Sequence, residues 1–233
     1  MQTLILAAGR GTRLAPLTDT IPKVMAEVAG QPLIERIVRQ SVSVGLTDLI
    51  IVVGYKQETI RNHLGDGSAY GAKITYVEQT ELGGTGHAVS TAAPHLIGDF
   101  MFLFGDSLVE AGMIARTRDV LTPGAVGVAR VAEPSRYGIV ELDNAGCVAS
   151  IIEKPVEPPT NLAVMAMYKM PFALIDALRG VGKSVRGEIE LPDAVRTLIE
   201  RGVKFSAVDI TGVMDIANLD DLATANRISN PVI

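Results

Sequence analysis

The chain has 233 residues, 48% of them hydrophobic, with 21 basic against 26 acidic side chains and a net charge of -5. This is enough apolar chain for a sizeable core in one domain or two small lobes, and it argues against disorder. A negative balance with no clear basic face argues against nucleic-acid binding. The single cysteine, Cys147, excludes an internal disulfide framework and a multi-cysteine zinc site. The three histidines (His63, His87, His95) are too widely spread for an H-x-x-x-H pair. No apolar run reaches the ~20 residues of a membrane span. The apolar start breaks at Gly9-Arg10 without a basic leader, so no signal peptide is expected and a reducing, cytoplasmic setting follows.

Residues 3–8 (TLILAA) form a short apolar run that stops at Gly9, the pattern of a buried strand. Residues 32–44 set Leu33, Ile34, Ile37, Val38 and Val42 at helical spacing. Residues 49–53 (LIIVV) read as a second buried strand, 57–64 as a short helix, 73–77 as a strand and 86–93 as the start of a helix. Residues 100–104 (FMFLF) are a third buried strand ending at Gly105-Asp106. Strands alternating with helices imply a parallel sheet covered on both faces. Right-handed crossovers then bring the strand C-terminal ends to one edge, so residues 9–13 and 105–106 should meet there.

Beyond about residue 110 the texture changes. Residues 125–130, 139–143 and 148–153 are strand-like, with Asn144-Ala145-Gly146 as a hairpin turn between the last two. A loop at 157–160 leads to a strand at 162–168, helices at 171–178 and 192–201, a strand at 205–209 and a helix at 219–228. The expectation is one domain over 1–233, with a lobe at 1–115 and a second at 116–233 sharing one sheet.

The chemistry concentrates first in residues 6–23, LAAGRGTRLAPLTDTIPK. Gly9 and Gly11 permit close backbone approach, so several N–H groups can face one anion. Arg13 offers a bidentate phosphate donor and Lys23 a point charge. Together they suit a polyphosphate. A dinucleotide fingerprint would need a third glycine where Leu14 stands, and no Walker A run exists. A tight turn with exposed basic residues is the plain alternative. Asp106 ends a buried strand, where a carboxylate needs a partner, although Gly-Asp-Ser is also good capping chemistry. Gln79 carries an amide able to donate and accept, or it is an ordinary loop glutamine.

The full string G-R-G-T-R-L-A-P-L-T…P-K resembles the N-terminal signature of the sugar-1-phosphate nucleotidylyltransferases. Further segments resemble that family in order along nearly the whole chain: Q-T-E-L-G-G-T-G-H-A from Gln79, F-G-D at Phe104, R-Y-G-I-V from Arg136, E-K-P from Glu153, G-E-I-E-L-P-D-A from Gly187 and M-D-I from Met214. The nearest types are the glucose-1-phosphate thymidylyl- and uridylyltransferases. The resemblance implies a Rossmann-like three-layer α/β/α sandwich with a mixed, mostly parallel central sheet. It also implies transfer of a nucleotidyl group from UTP or dTTP to a sugar-1-phosphate, with glucose-1-phosphate favoured.

By that resemblance Arg13 and Lys23 are catalytic. Leu6, Ala7, Ala8, Gly9, Gly11, Thr12, Gln79, Gly84, Thr85 and Gly105 would bind the nucleotide. Tyr137, Gly138, Glu153, Lys154 and Val164 would bind the sugar phosphate, and Asp106 and Asp215 would hold Mg²⁺. His87 reads as a helix N-terminal residue rather than a catalytic one. Two departures touch the sugar side: many relatives read I/V-G-T where this chain has Ile216-Ala217-Asn218, and the usual glycine near residues 162–168 is Ala166. No C-terminal hexapeptide β-helix is expected. The partners implied are a nucleoside triphosphate and a sugar-1-phosphate, with neither nucleic acid nor membrane; a homo-oligomer is compatible with this reading. Another phosphorylated sugar or polyol, CTP as donor, or a non-catalytic regulatory relative are the alternatives. Retention of Arg13, Lys23, Asp106 and Asp215 favours the enzyme.

Overall fold

In the first strand Leu4 and Ile5 are both fully buried yet face different helix layers, and the same alternation repeats at Ile50 and Ile51 and at Phe102 and Leu103. Strands buried on both faces must lie in the middle of a three-layer sandwich. A computed structural model describes residues 1–229 and has that architecture.

The first half contains β1 (Gln2–Ala7), the short pair β2 (Glu27–Val28) and β3 (Gln31–Pro32), α1 (Leu33–Ser43), β4 (Asp48–Val53), α2 (Gln57–Leu64), β5 (Lys73–Glu78), α3 (Thr85–Ala92), β6 (Phe100–Phe104), β7 (Ser107–Leu108) and α4 (Ala111–Arg118). The second half contains β8 (Gly124–Arg130), β9 (Gly138–Leu142), β10 (Val148–Glu153), β11 (Leu162–Met170), α5 (Leu174–Leu178), α6 (Leu191–Glu200), β12 (Phe205–Asp209), β13 (Met214–Asp215) and α7 (Leu219–Ser229).

The large sheet runs β10-β9-β11-β6-β1-β4-β5, with β8 joined to β11 and β12 joined to β8. β1 pairs in parallel with β4 and β6, and β4 with β5, so the first half is a parallel sheet as its alternation requires. β11 is antiparallel to β6, β8 and β9, which makes the whole sheet mixed. One helix layer is α3, α5 and α6, through residues such as Val89, Leu174 and Val195. The other is α1, α2 and α4, through Ile37, Ile60 and Ile114. Leu14, Ala26, Val28, Leu33, Ile216 and Ala225 form a third, smaller core. It ties the glycine-rich loop to β13 and α7. Asn226 adds to this brace, accepting from the Ala29 amide at 2.9 Å and donating to the Glu27 carbonyl at 3.1 Å. No helix among the described residues is long and apolar enough to cross a membrane.

The expected strands and helices are present with small shifts in their ends. α5 begins at Leu174 rather than at residue 171, because Phe172 and Leu174 first form a turn: the Phe172 amide donates to Asp99 and the Leu174 amide to the Pro171 carbonyl. α4 was not expected. Its buried residues are Met113, Ile114 and Thr117, a stripe too narrow to read, and Gly112 sits in its first turn. The two-residue strands β2, β3, β7 and β13 are also too short to carry a sequence period.

The first turn of α1 is fixed by Glu35. Its Oε1 accepts from Gln31 Nε2 at 2.9 Å and Arg39 Nε at 2.7 Å, and its Oε2 lies 2.7 Å from His63 Nε2 on α2. Burial raises the Glu35 carboxyl, but the hydrogen bonds from Gln31, Arg39 and His63 outweigh it and hold its pKa at about 2. A depressed carboxylate stabilises the fold above its unfolded value and loses that contribution as pH falls through the folded one. Glu35→Gln is therefore expected to cost about 1–2 kcal/mol at neutral pH, discounted for the exposed Arg39. Urea denaturation should show the gap to wild type narrowing once pH drops below 4.5 toward 2.

Candidate active site

β1 and β6 end side by side, and the segments after them converge. The Gly105 amide donates to the Leu6 carbonyl at 2.8 Å, and a Cβ on Gly105 would sit 2.4 Å from that oxygen. The close approach puts Asp106 beside the glycine-rich loop. Lys23 reaches across and its Nζ donates to Asp106 Oδ2 at 2.5 Å. Gly11 lies beneath Lys23 with φ +66°, and a Cβ there would stand 2.5 Å from the Lys23 Cβ. The amides of Gly9, Arg10 and Gly11 have no acceptor among the described residues.

Two chambers open on this junction. The first, about 310 Å³, is lined by Leu6, Ala7, Ala8 and Gly9 from the end of β1, and by Gln79, Gly84, Thr85 and Glu188. Phe104, Lys23 and Asp106 complete its inner wall. The second, about 280 Å³, is lined by Arg13, Tyr137, Gly138, Glu153, Lys154 and Val164, with Asp215, Arg186, Glu188 and Glu190. Lys23, Thr85, Phe104, Asp106 and Glu188 line both. The sequence-derived candidates are thus brought together, apart from Gly11, Thr12 and Gly105, which line neither chamber. Gly11 leaves room for the Lys23 side chain, and Gly105 leaves room for the Leu6 carbonyl just before Asp106.

The mouth of the first chamber is built by the loop after β5. Gln79 is buried, its amide N–H donating to the Val53 carbonyl at 2.8 Å. Its side-chain Nε2 is 3.3 Å from the Gly84 carbonyl and 3.0 Å from His87 Nδ1. The loop is clamped from the second half: Ile189 N–H donates to Gly83 at 2.7 Å, and Gly86 N–H donates to Ile189 at 2.8 Å.

In the second chamber, Glu153 stands directly opposite Gly138 in the β9–β10 ladder, and the Lys154 amide donates to Tyr137 at 3.0 Å. The two motifs are therefore one hairpin end. Glu153 Oε1 faces two cations, Arg186 Nη2 at 3.2 Å and Lys154 Nζ at 3.4 Å, and Arg186 also donates to Glu190 at 2.7 Å. Burial and the Asp215 charge push the Tyr137 phenol up, so it remains a neutral donor. Arg186 and Glu190 escaped sequence reasoning as individual site residues. Arg186 is an exposed loop arginine, and its only signal was its position next to the Gly187 segment. The two departures from the family pattern, Ala166 and Ala217, both line this chamber. Asn218 caps α7: its Oδ1 accepts from the Asp221 amide at 2.9 Å, while Asp221 Oδ2 accepts from the amides of Ala217 and Asn218 at 2.8 and 3.1 Å. This reciprocal cap anchors the segment that follows Asp215.

Asp215 is paired across β7–β13 with Ser107, whose hydroxyl donates to Asp215 Oδ1 at 2.5 Å. Burial and the nearby Asp106 charge push its carboxyl up to about 6, against the opposing effect of the Ser107 hydrogen bond and Lys23. Two adjacent carboxylates, one already gripping an ammonium, form a site that favours added positive charge. Their hard oxygens suit Mg²⁺, which normally completes its shell with water and substrate phosphates. Among the described residues no group of three or more His, Cys, Asp or Glu could enclose a metal without such help.

Residues 2–230 match the family described as nucleotidyl transferase. The chain is 40% identical over 233 residues to the UTP–glucose-1-phosphate uridylyltransferase AglF of Haloferax volcanii, covering 97% of this chain and 96% of that protein. It is 35% identical over 235 residues to the low-salt glycan biosynthesis nucleotidyltransferase Agl11 of the same organism, covering 98% of this chain but 66% of that one. It is also 35% identical to a glucose-1-phosphate thymidylyltransferase of Streptomyces antibioticus, of which it spans 65%. Among solved structures, a UDP-glucose pyrophosphorylase complexed with UDP-glucose superposes with a TM-score of 0.85 at 25% identity, over 98% of both chains.

Gly11→Ala combines a left-handed backbone with a collision against Lys23. The expected cost is about 1–2 kcal/mol, read by urea denaturation. A loss below about 0.3 kcal/mol would show that the loop relaxes freely and that Gly11 does not set the position of Lys23.

Proposed function

Because the chain belongs to the nucleotidyl transferase family, we propose that it transfers a nucleotidyl group from UTP or dTTP to glucose-1-phosphate, giving an NDP-sugar and pyrophosphate. One observation carries this reading: two adjoining chambers share Lys23 and Asp106 at their junction. The similarity to AglF over nearly both full lengths supports UTP and glucose-1-phosphate as the substrates to try first.

An oxygen of the sugar phosphate bonds to the α-phosphorus while the bond to pyrophosphate breaks. That oxygen is already an anion, so no strong general base is needed. The difficulty is holding two polyanions together, and catalysis is then mainly positioning and charge stabilisation. In this reading residues 1–115 bind the nucleotide and 116–233 the sugar phosphate. Leu6, Ala7, Ala8 and Gly9 form the floor under the nucleoside, with Gly105 supporting it. The loop amides, Gly11 and Thr12 included, face the phosphates. Gln79, Gly84 and Thr85 meet the base and ribose. Arg13 and Lys23 stabilise the charge that builds between the α-phosphorus and the leaving pyrophosphate. Lys154 binds the sugar phosphate, Glu153 and Tyr137 the sugar hydroxyls, and Gly138 and Val164 the ring. Asp106 and Asp215 would hold Mg²⁺, which would neutralise phosphate charge. A reducing, cytoplasmic setting suits the single cysteine.

Pyrophosphate release with Mg²⁺ and glucose-1-phosphate, compared across UTP, dTTP, CTP, ATP and GTP, tests the reading. Release with UTP or dTTP is expected. Release only with another triphosphate overturns the role of Gln79. Silence across triphosphates and a wide panel of sugar and polyol phosphates overturns the enzyme in favour of a regulatory binding protein. Lys23→Ala is expected to lower kcat by about 10²-fold or more, since its charge acts on the transition state. Near-normal turnover would remove Lys23 from the mechanism.

A further inference from the structure

The side chain of Gln79 has two ends, and the structure determines which one faces the chamber. The Gly84 carbonyl can only accept, so the Gln79 atom 3.3 Å from it is the amide nitrogen. The same nitrogen lies 3.0 Å from His87 Nδ1. With Gln79 donating there, Nδ1 must be the unprotonated nitrogen, and a neutral His87 carries its proton on Nε2. Both Nε2 hydrogens of Gln79 are then spoken for. Its Oε1 makes no hydrogen bond among the described residues and remains to face the chamber that Gln79 lines. The His87 ring is seated against Gly83, where a Cβ would stand 2.7 Å from its Cγ, so the loop has room for the ring only because residue 83 is glycine.

We infer that His87 is a specificity-determining positioning residue: by accepting from Gln79 through Nδ1, it holds the Gln79 amide with its acceptor end toward the base. The inference rests on the reading of Gln79 as the base-recognition residue. An acceptor at that place complements the ring N3–H of uracil or thymine. Cytosine presents an unprotonated N3 there, and two acceptors would be forced together away from water. The Gly84 carbonyl alone leaves one Gln79 hydrogen without a partner. His87 supplies the second acceptor; the reversed amide would set Oε1 against the Gly84 carbonyl, which can only accept, and would require His87 to move its proton to Nδ1. His87, which lines neither chamber, thus acts on the choice between pyrimidines through Gln79.

The test measures Kd for UTP and for CTP by calorimetry, with Mg²⁺, on the wild-type chain and on His87→Leu, His87→Asn and Gln79→Leu. Wild type is expected to prefer UTP. His87→Leu, which removes the acceptor, is expected to cut the UTP-over-CTP ratio about five- to tenfold. His87→Asn can place Oδ1 where Nδ1 stands and is expected to keep the ratio within about twofold of wild type. ¹⁵N NMR of the free protein at neutral pH is expected to show His87 protonated on Nε2, a signature that packing alone would not require. Nδ1 protonation, or an unchanged ratio in a folded His87→Leu, overturns the inference; if that variant does not fold, His87→Asn and the NMR spectrum decide. Gln79→Leu separates the two levels. If it abolishes the preference while His87→Leu does not, only the role of His87 falls. If the ratio survives Gln79→Leu, or wild type has no preference, the base reading falls with it.

Discussion

The pairing of Lys23 with Asp106 is the constraint around which the site is arranged. A carboxylate at the end of an inner parallel strand needs a cation, and the cation has to come from a loop that leaves the neighbouring strand. Two backbone conditions make the contact possible. Gly105 lets the end of β6 press against Leu6, and Gly11 lets the loop fold under Lys23. The small core of Leu14, Ala26, Val28, Leu33, Ile216 and Ala225 then holds that loop against β13 and α7, which brings Asp215 to the same place. Lys23 thus serves twice. It neutralises Asp106 before any ligand arrives, and it stands at the junction where phosphates from either chamber would meet.

Neither chamber is complete within one half of the chain. The loop carrying Gln79 and Gly84 is clamped by Ile189, and Glu188 lines both chambers. Arg186 ties the same segment to Glu153 at the end of the β9–β10 hairpin. The wall between the chambers is therefore a stretch of irregular chain held by backbone hydrogen bonds on one side and an ion pair on the other.

Most of the first half could be read from the sequence because its physics is local. Runs such as LIIVV and FMFLF are buried on both faces, and their abrupt ends at glycine mark the edge where ligands bind. The meeting of residues 9–13 with 105–106 follows from strand order alone. The second half needed the resemblance, since an antiparallel hairpin ending in Glu153 looks the same whether or not it lines a chamber. What stayed hidden depends on long-range partners. Arg186 looks like a solvated loop arginine until Glu153 and Glu190 are placed beside it. Gln79 and His87 are eight positions apart, yet only the glycine turn between them brings Nε2 to Nδ1. α4 was missed because a narrow buried stripe carries almost no periodic signal.

Two departures from regular geometry border the second chamber. Among the described residues, four that are not glycine have positive φ, and two of them, Lys154 at 44° and Ala166 at 52°, line the second chamber. Each costs roughly 1–2 kcal/mol relative to an ordinary backbone. At Ala166 the cause is visible in the sheet. Along one edge β11 pairs with β9 at Ala163 and with β6 from Met167 onward, and its register against β8 shifts between Val164 and Tyr168. The irregular stretch lets one strand serve both neighbours and leaves Val164, Ala166 and Tyr168 all bordering the chamber. A triphosphate can be met by generic means, with strand ends, loop amides and a lysine on a regular parallel sheet. A particular sugar needs side chains at places a regular sheet does not offer. Of the four strained positions, Lys154 and Ala166 are the two placed where such discrimination would be made, while Ala29 and Lys56 lie outside both chambers.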